Sequence, residues 1–463
     1  MRDIAIIGAG QAGLLAGHDL LRRGFNVTLF SDKTPDDFLA KARPTGTACR
    51  FETALSYERE LGLEMWGNEA PPVQGVHLHY IAGKDTSNPL LTLVGRMTKP
   101  GMAVDLRLQS ATWLDLFETH GGKVEFGFIT LPQLDEIAAE HDLVIVASGR
   151  GEIQKLFSRN DARSLWTSPA RKLGMICVKG LDMQMPYGPP MTPVKFNFFA
   201  KYGEMFWVPW YSKDGDEAWS LVFEAKPGGP MDVFDGASSA CETLSRGQKL
   251  IEKFTPWDAQ WARGAEPCDE NSWLVGAFTP EVRNAVATLR SGRNVMALGD
   301  SAQSLDPIGG QGANNGNKMA KALVNSIVER ADKPFDAAWM RATDDAFWNR
   351  HQVTHKFNNT LLLPLKEAGR LLLMAQYGSA GRTDDTSPQQ LLANRFCDNF
   401  NDASDLTEAF HDVGVSKQKI TEQFGGSRKP VLRGKVAIAA GQVRHYLGRA
   451  ARHPGTTIRT ESK

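Results

Sequence analysis

The chain contains 463 residues, 42% of them hydrophobic, and its 53 lysines and arginines are balanced by 53 aspartates and glutamates. This length allows two or three domains with substantial cores, and a formal net charge of zero gives no electrostatic reason to expect a nucleic-acid partner. Because the five cysteines form no C-x-x-C pair, and because the sequence shows neither a membrane-spanning apolar run nor a leader peptide, we expect a cytoplasmic protein with reduced thiols and no membrane partner.

A glycine-rich turn near the N-terminus is the first informative motif. Residues 2–7 form an apolar run that predicts a buried parallel strand, and residues 12–23 predict a helix. The G-x-G-x-x-G between them allows a tight turn, a close approach of backbone to a pyrophosphate, and close packing of helix on strand. The pattern therefore predicts a dinucleotide-binding unit. The residues expected to contact the nucleotide are Gly8, Gly10, Gln11, Ala12 and Gly13.

A second predicted strand, residues 26–30, ends at Ser31 and Asp32. An acidic residue about 20 positions beyond the glycines can accept hydrogen bonds from the ribose hydroxyls of the nucleotide. Asp32 is the candidate, with Ser31 beside it. FAD and NAD would both satisfy this part of the pattern.

The middle of the chain differs in composition. Residues 191–223 alternate with the period of a β-strand and are rich in aromatic side chains. As a group these side chains favour a sheet that provides an apolar substrate chamber, although each alone is more often a core residue. They are Phe196, Phe198, Phe206, Trp207, Trp210, Tyr211 and Trp219.

A second glycine-rich motif lies almost three hundred residues after the first. Residues 294–298 predict a buried strand that ends at Gly299 and Asp300, where Asp300 could bind the hydroxyls of a ribityl chain. The loop that follows lacks large side chains and opens a helix, so its backbone N–H groups and the helix dipole could approach the pyrimidine edge of a flavin. Together the motifs predict FAD; the alternative is an ordinary glycine turn with Asp300 as a helix cap. The loop residues are Pro307, Gly309, Gly310, Gly312, Ala313 and Asn314.

After residue 320 the pattern becomes helical. Residues 346–365 are amphipathic, and they could cover the substrate or pack on the nucleotide domain. His351 and His355 have the spacing of helical metal ligands, but no Glu follows the first, so we predict no metal site. Residues 428–463 are basic; a solvated helix with a frayed end is expected there, and docking to an anionic partner is the alternative.

The paired motifs resemble those of the para-hydroxybenzoate-hydroxylase-like FAD monooxygenases. Within them the chain is most similar to the oxygenase component of two-component styrene and indole monooxygenases, on the evidence of Arg43, AVDLRL at 103–108 and DLVIVASGRGEIQKLF at 142–157. The resemblance implies that Arg43 lies by the adenosine ribose and Arg107 near the flavin phosphates. Otherwise each would form an ordinary ion pair.

The resemblance also implies the fold class. This is an α/β protein in which a Rossmann-like FAD-binding domain of the GR2 or PHBH type is interleaved with a β-sheet substrate domain, followed by a helical C-terminal region. The expected boundaries are 1–165 with 270–335 for FAD binding, 166–269 for substrate, and 336–463 for the helical region.

By the same resemblance, reduced FAD would react with O2 to give a C4a-peroxyflavin that epoxidises or sulfoxidises a small apolar aromatic compound such as a styrene, an indole or an aryl sulfide. A separate NAD(P)H:flavin reductase would supply the reduced FAD, because residues 147–150 read Ala-Ser-Gly-Arg and lack the aspartate that serves NADPH in single-component hydroxylases. A homodimer is one expected assembly.

Catalytic assignments from the sequence concern mainly backbone, since no serine, cysteine or metal motif is present to perform the chemistry. Pro307, Gly309 and Gly310 are the expected flavin-side catalytic loop. His77 and Arg50 are substrate-side candidates. Residues 44–51 depart from the family pattern by lacking an Asn and a His, so the substrate transfers less well than the fold.

Three alternatives stay open at this stage. A single-component NAD(P)H-dependent aromatic hydroxylase would consume NAD(P)H without a reductase. A flavin-dependent halogenase shares the fold, but FWVPW at 206–210 does not match the tryptophan-rich halogenase signature. A non-catalytic FAD-fold protein would use the aromatic face to bind a protein or a lipid.

Overall fold

The computed structural model describes residues 2–82, 89–149, 151–185, 187–427 and 429–446. Strands and helices alternate in the first part of the chain, and helices dominate the last part. The strands are β1 (Asp3–Ile7), β2 (Asn26–Ser31), β3 (Cys49–Arg50), β4 (Pro72–Ile81), β5 (Leu91–Ala103), β6 (Lys123–Phe126), β7 (Leu143–Val146), β8 (Lys172–Lys179), β9 (Val194–Phe199), β10 (Gly203–Tyr211), β11 (Glu217–Ala225), β12 (Glu266–Pro267), β13 (Trp273–Gly276), β14 (Glu281–Val282), β15 (Val286–Thr288), β16 (Asn294–Ala297) and β17 (Gln303–Ser304).

The helices follow in the same order. They are α1 (Gln11–Arg22), α2 (Pro35–Ala40), α3 (Glu52–Glu60), α4 (Leu106–Thr119), α5 (Leu131–Glu140), α6 (Ala240–Phe254), α7 (Ala259–Ala262), α8 (Gln311–Arg330), α9 (Ala337–Leu362), α10 (Glu367–Ala375), α11 (Pro388–Asp398), α12 (Val413–Phe424) and α13 (Lys429–Tyr446), with short 3₁₀ turns at Ile153–Leu156, Gly299–Ser301, Pro307–Gly309 and Glu408–Phe410.

The chain divides into two compact units. The first comprises residues 1–67, 104–169 and 278–355, and the second comprises residues 68–103, 170–277 and 356–463. The first unit contains a sheet in the order β15-β16-β7-β1-β2-β6. Its strands run parallel except for β15, which is antiparallel to β16. Such an order requires crossover connections, and α1 supplies the one between β1 and β2.

The second unit is built on a long sheet in the order β12-β8-β11-β10-β9-β4-β5, in which β13 also pairs with β8. Apolar side chains on one face of β8, β10 and β11 pack with α6 into a core that includes Trp207, Trp219 and Phe254. The α/β fold class predicted from the sequence is confirmed by this architecture and by the similarities reported below. The predicted domain boundaries stay a prediction; the compact units differ from them in grouping residues 68–103 with the second sheet.

Most of the thiols are inaccessible. Cys49, Cys177, Cys268 and Cys397 are buried and Cys241 is exposed, and all five are reduced. Burial raises the pKa of both Cys49 and Cys397 to about 12. Across the described ranges, no helix has the length and apolar character needed to cross a membrane.

Candidate active site

The first glycine motif forms the turn from β1 into α1 in the first unit. Gly8 has φ +115°, and a Cβ there would lie 2.6 Å from the carbonyl oxygen of Ala147. A Cβ on Gly13 would lie 2.3 Å from the carbonyl oxygen of Gly8. These two glycines are therefore required by the turn itself. Gly10 is different, because its nearest protein atom, the Ala147 oxygen, would be 4.0 Å from a Cβ.

The predicted acid lies at the end of the neighbouring strand. The Gly8 N–H donates a hydrogen bond to the Phe30 carbonyl oxygen at 2.8 Å, which ties the glycine turn to the carboxyl end of β2. Asp32 follows two residues later, is exposed, and forms an ion pair with Lys33 at 2.5 Å. Ser31 is buried, and its hydroxyl donates to the Lys33 carbonyl oxygen at 2.6 Å. Asp32 is thus exposed beside the turn, as a ribose contact requires, while Ser31 shapes the backbone.

The two glycine motifs meet at Ala12. A Cβ on Gly299 would lie 3.1 Å from the Ala12 methyl group, and a Cβ on Gly316 would lie 3.4 Å from it. Gly299 has φ +62°, a conformation that favours glycine. Since Ala12 is in the first turn of α1 and Gly316 is near the start of α8, the N-terminal ends of the two helices are neighbours. Asp300, next to Gly299, is exposed.

Both helix starts lack a side-chain cap. The N-caps of α1 and α8 are Gly10 and Gly310, neither makes a side-chain capping bond, and neither helix has an acidic residue in its first turn. Backbone N–H groups at such ends attract anions through the helix dipole. A Cβ on Gly312 would meet no protein atom within 4 Å. Open space at Gly10 and Gly312 and two uncapped helix starts fit a flavin nucleotide with its phosphates.

The loop that the sequence predicts to lie beside the flavin is held by Asn314. Its carboxamide oxygen accepts a hydrogen bond from the Phe51 N–H at 2.8 Å, and its nitrogen donates to the carbonyl oxygens of Cys49 at 2.8 Å and Gly310 at 2.6 Å. Ala48 precedes this segment with φ +50°, a rare conformation for a residue with a Cβ. Residues 48–51 are therefore fixed to the start of α8.

The three predicted arginines have separate environments. Arg50 is fully buried and forms an ion pair with Glu58 at 2.8 Å. Burial raises the pKa of Glu58, and the guanidinium opposes that shift. Arg107 is also buried and pairs with Asp105 at 2.7 Å, whereas Arg43 is exposed. These contacts give Arg50 and Arg107 structural partners, so their assigned roles at substrate and phosphate stay predictions.

Comparison with known proteins agrees with the fold and the motifs. Residues 149–260 match the family model described as "Styrene monooxygenase A putative substrate binding domain". The chain is 26% identical over 407 residues to styrene monooxygenase StyA of Pseudomonas fluorescens, covering 86% of this chain and 93% of the relative.

Among solved structures, the flavin-dependent brominase Bmp2 matches with a TM-score of 0.57 at 15% identity, covering 96% of this chain and 99% of that one. The tetrameric 2-methyl-3-hydroxypyridine-5-carboxylic acid oxygenase matches with a TM-score of 0.55 at 14% identity, over 85% and 96% of the two chains. The chain is a flavin-dependent monooxygenase. Its predicted resemblance to the oxygenase component of the styrene monooxygenases is confirmed.

The sequence did not single out a buried polar group in the first unit of this monooxygenase. The carboxamide oxygen of Gln303 lies 2.7 Å from Nε2 of His355 and accepts from the Asn315 side chain at 2.9 Å. Burial lowers the pKa of His355 to about 4, so the ring is neutral at pH 7 and its Nε2–H donates. Gln303 Nε2 is buried with no partner among the described residues. No local signal could find this group, since Gln303 and His355 are 52 residues apart.

A cavity of about 610 Å³ in the same unit adjoins Asp300 of the monooxygenase. Its lining includes Gln154 and Arg283, both of which donate to the Asp300 carbonyl oxygen, at 3.0 and 3.3 Å. Arg159 and Arg283 are each paired with a carboxylate that also lines the cavity, so its lining charges cancel. A balanced cavity of this kind gives no strong preference for an anion.

His77 lies in the second unit, on the face of the sheet that packs with α6. It is in register with Lys195 of β9, which is in register with Trp207 of β10. Its ring is 5.0 Å from His79 and 5.4 Å from Tyr187, and it is 1% exposed. Burial and the nearby Lys195 charge lower its pKa well below the usual range. The monooxygenase thus keeps His77 as a neutral core residue, and its catalytic role stays a prediction.

Strand alternation divides the predicted aromatic chamber between two faces. Trp207 and Trp219 belong to the core beneath α6, whereas Phe196 and Phe206 stack on the opposite face with ring centroids 5.4 Å apart. Leu78 is in register with Phe196 and joins them on that face. Phe196 and Phe206 are 4% and 5% exposed, and the role of the predicted aromatic chamber in binding a substrate stays a prediction.

Proposed function

We propose that the monooxygenase uses FAD, delivered in reduced form by a separate NAD(P)H:flavin reductase, to oxygenate a small apolar aromatic compound in the cytoplasm. FAD binding is supported by one observation above all: two uncapped helix starts lie close together at Ala12, with open space at Gly10 and Gly312. A dinucleotide places anionic phosphates and an electron-poor ring system along one line, and it would use both helix starts at once.

Residues of the chain would then act chiefly through backbone groups. The α1 N–H groups would hold the pyrophosphate, Asp32 the adenosine ribose, and Asp300 the ribityl hydroxyls. The Pro307–Gly309 turn and the N–H groups at the start of α8 would stabilise negative charge on the flavin pyrimidine ring. When bound, the flavin supplies the two-electron activation of O2.

Absence of a suitable acid supports a separate reductase. Strand β7 is followed by Ala147, Ser148 and Gly149, where a single-component hydroxylase would carry an aspartate for NADPH. Arg150, the last residue of that stretch, lies outside the described residues. The StyA similarity supports the same arrangement, and the charge balance of the cavity beside Asp300 adds no site for a dinucleotide phosphate.

The substrate class is inferred from the face that carries Phe196 and Phe206. Both rings are buried, and Leu78 and Val222 lie in register beside them. A buried apolar face favours an aromatic compound over a charged one, because a charged group would lose its hydration there and gain no partner. Styrenes, indoles and aryl sulfides satisfy this chemistry.

The test supplies chemically reduced FAD to the purified protein, adds oxygenated buffer with a panel of styrenes, indoles and aryl sulfides, and measures oxygenated product without NAD(P)H. Product is expected from the wild-type protein. Gly312→Leu is the test variant: its side chain enters open space, so the fold is expected to persist while flavin binding and product fall by about tenfold or more.

A second arm mixes the protein, FAD and NAD(P)H with no reductase present. Rapid NAD(P)H oxidation in this arm, together with no product from reduced FAD, would replace the proposal with a single-component hydroxylase. Flavin binding with no product in either arm would favour the non-catalytic alternative.

A further inference from the structure

The C-terminal helix α13 packs on the second unit through a glycine face. A Cβ on Gly434 would lie 2.3 Å from the carbonyl oxygen of Met374 in α10, and a Cβ on Gly441 would lie 3.7 Å from Leu90. The two glycines are seven residues apart and therefore share one side of the helix. Their lack of side chains lets the backbone of α13 lie close to the unit, which fixes the opposite side toward solvent.

That opposite side carries an apolar stripe. Leu432, Val436 and Val443 are 62%, 61% and 59% exposed, although their side chains are large and apolar. With Ala439 they occupy positions i, i+4, i+7 and i+11, which fall within one narrow arc of a helix. Single exposed apolar residues are ordinary, but an aligned row of them marks an interaction surface.

Cations border the stripe on both sides. At 100° per residue, Lys429 and Arg433 lie on one side of the stripe and Lys435 on the other. Within the described ranges, none of the three is in an ion pair with a carboxylate. Beyond the helix the sequence adds Arg449, Arg452, Arg459 and Lys463 against one acid, Glu461.

A cavity of about 210 Å³ lies beside the stripe, on the side of Lys429 and Arg433. Among the described residues that line it, none is acidic. Its lining residues are Tyr377, Gln389, Phe424, Ser427, Lys429, Pro430 and Arg433. Two cations with hydroxyl and amide donors around a small cavity suit a phosphate group.

We propose that α13 docks the protein on an anionic lipid surface. The stripe enters the boundary between headgroups and acyl chains, the bordering cations contact the headgroups, and the cavity at Lys429 and Arg433 takes one lipid phosphate. This departs from the sequence-based expectation of no membrane partner. It is independent of the proposed function, because it uses no residue of the flavin site.

The composition of the stripe favours lipid over a protein partner. Protein interfaces obtain most of their binding energy from buried Trp, Tyr and Arg anchors that fill pockets. The stripe holds only aliphatic side chains, and its cations border it instead of lying within it. Shallow insertion of aliphatic side chains between flanking cations is the arrangement of helices that lie in a membrane interface.

The test is co-sedimentation of the full-length protein with vesicles of phosphatidylcholine alone or with added phosphatidylglycerol. We expect binding to the anionic vesicles only, and weaker binding at high salt. The double variant Leu432→Glu/Val436→Glu should bind at least about tenfold more weakly, as should Arg433→Glu/Lys435→Glu. The matched control is Phe128→Glu/Leu165→Glu, which changes two residues that are 71% and 55% exposed elsewhere on the surface. It should bind as the wild type does.

Thermal unfolding of each variant checks that the fold persists. Equal binding of the stripe variant and the control to anionic vesicles would overturn the proposal, and so would an absence of binding by the wild type. If the stripe variants instead lost binding to a purified flavin reductase while no form bound vesicles, the surface would be a protein interface and the lipid proposal would be wrong.

Discussion

Ala12 shows how much of the candidate site depends on small side chains. Its methyl group is the point of contact for Gly299 and Gly316, so the first turn of α1 approaches the 3₁₀ turn at Gly299 and the second turn of α8 through atoms no larger than a Cβ. A larger residue at any of these three positions would push α1 away from these neighbours. These close contacts also explain why the glycine motifs could be recognised in the sequence. Positions where only glycine fits recur at a fixed spacing.

Burial of Lys195 should make the stability of the protein depend on pH. Burial lowers its pKa to about 7, against the opposing charge of Asp258. In the unfolded chain the pKa of a lysine is about 10.4. Between the two pKa values the unfolded state therefore holds a proton that the folded state lacks. The free energy of unfolding should therefore rise with pH across this window, by at most about 1.4 kcal/mol per pH unit, and this gain is lost as pH falls to 7.

Urea unfolding at about pH 7.5 and about pH 9.5 measures this rise. Lys195→Met should flatten it, whatever its effect on absolute stability. Lys201→Met, which alters an exposed lysine of the same unit, should keep the wild-type rise. An unchanged rise in the Lys195 variant would show that the ammonium is charged in the folded protein at neutral pH.

Helix α8 organises the flavin-side loop at the scale of elements. Its first turns contribute Asn314, which bonds to residues 49 and 51 and to Gly310, Asn315, which bonds to Gln303, and Asn317, which donates to Glu58 at 2.8 Å. Helix α8 thus holds β3, the Pro307–Gly309 turn that precedes α8, and α3. Hydrogen bonds of this kind are costly to break when the remaining partner is buried.

Asn314→Leu should remove three of these bonds, including the one that the buried Phe51 N–H donates. We expect a loss of about 1–3 kcal/mol in stability, and weaker flavin binding because Gly310 and residues 48–51 lose their common anchor. Thermal unfolding and flavin fluorescence titration measure the two effects. Asn325→Leu, later in the same helix and partly exposed, should change neither. Equal behaviour of the two variants would mean that Asn314 is not the anchor.

The elements most successfully predicted from the sequence were the strand-to-helix turns. Strand β1 and helix α1 lie within one or two residues of the predicted ranges, and α8 opens at Gln311, close to the expected Ala313. Local spacing encodes these turns. The ion pair of Arg50 could not be predicted from the sequence, because Glu58 is one of several nearby acidic residues and only the fold brings it to Arg50. The two-sided sheet was missed for a similar reason: alternation shows that faces differ, but not which face is covered by α6.

At the scale of the whole molecule, the residues proposed to hold the flavin and those proposed for substrate and lipid belong to different units. The uncapped helix starts and Asp300 belong to the first unit, while the Phe196 and Phe206 face and the proposed lipid-binding helix belong to the second. The sequence predicted two kinds of domain from motifs and composition. It could not assign residues 68–103, because β4 and β5 carry no motif and their membership follows from pairing with β9.

If FAD contacts both helix starts, it should protect the first unit from hydrogen exchange at two places that are far apart in the sequence. A ligand that binds only the folded state slows local opening around its contacts. In hydrogen exchange we expect slower exchange of the first turns of α1 and α8 when FAD is added, and no slowing in Gly312→Leu. Protection confined to α1 would leave the nucleotide half of the prediction standing and remove the flavin half.

The placement of the thiols has a practical outcome for experiments with this protein. Oxidants and maleimides both require an accessible thiolate, and four of the five cysteines are enclosed, two of them with a pKa near 12. Cys241, at the beginning of α6, is thus the natural attachment point for a single fluorophore. A dye placed there without any engineered cysteine would report encounters with a reductase or a vesicle, and mass spectrometry of the same residue would record the protein's exposure to peroxide.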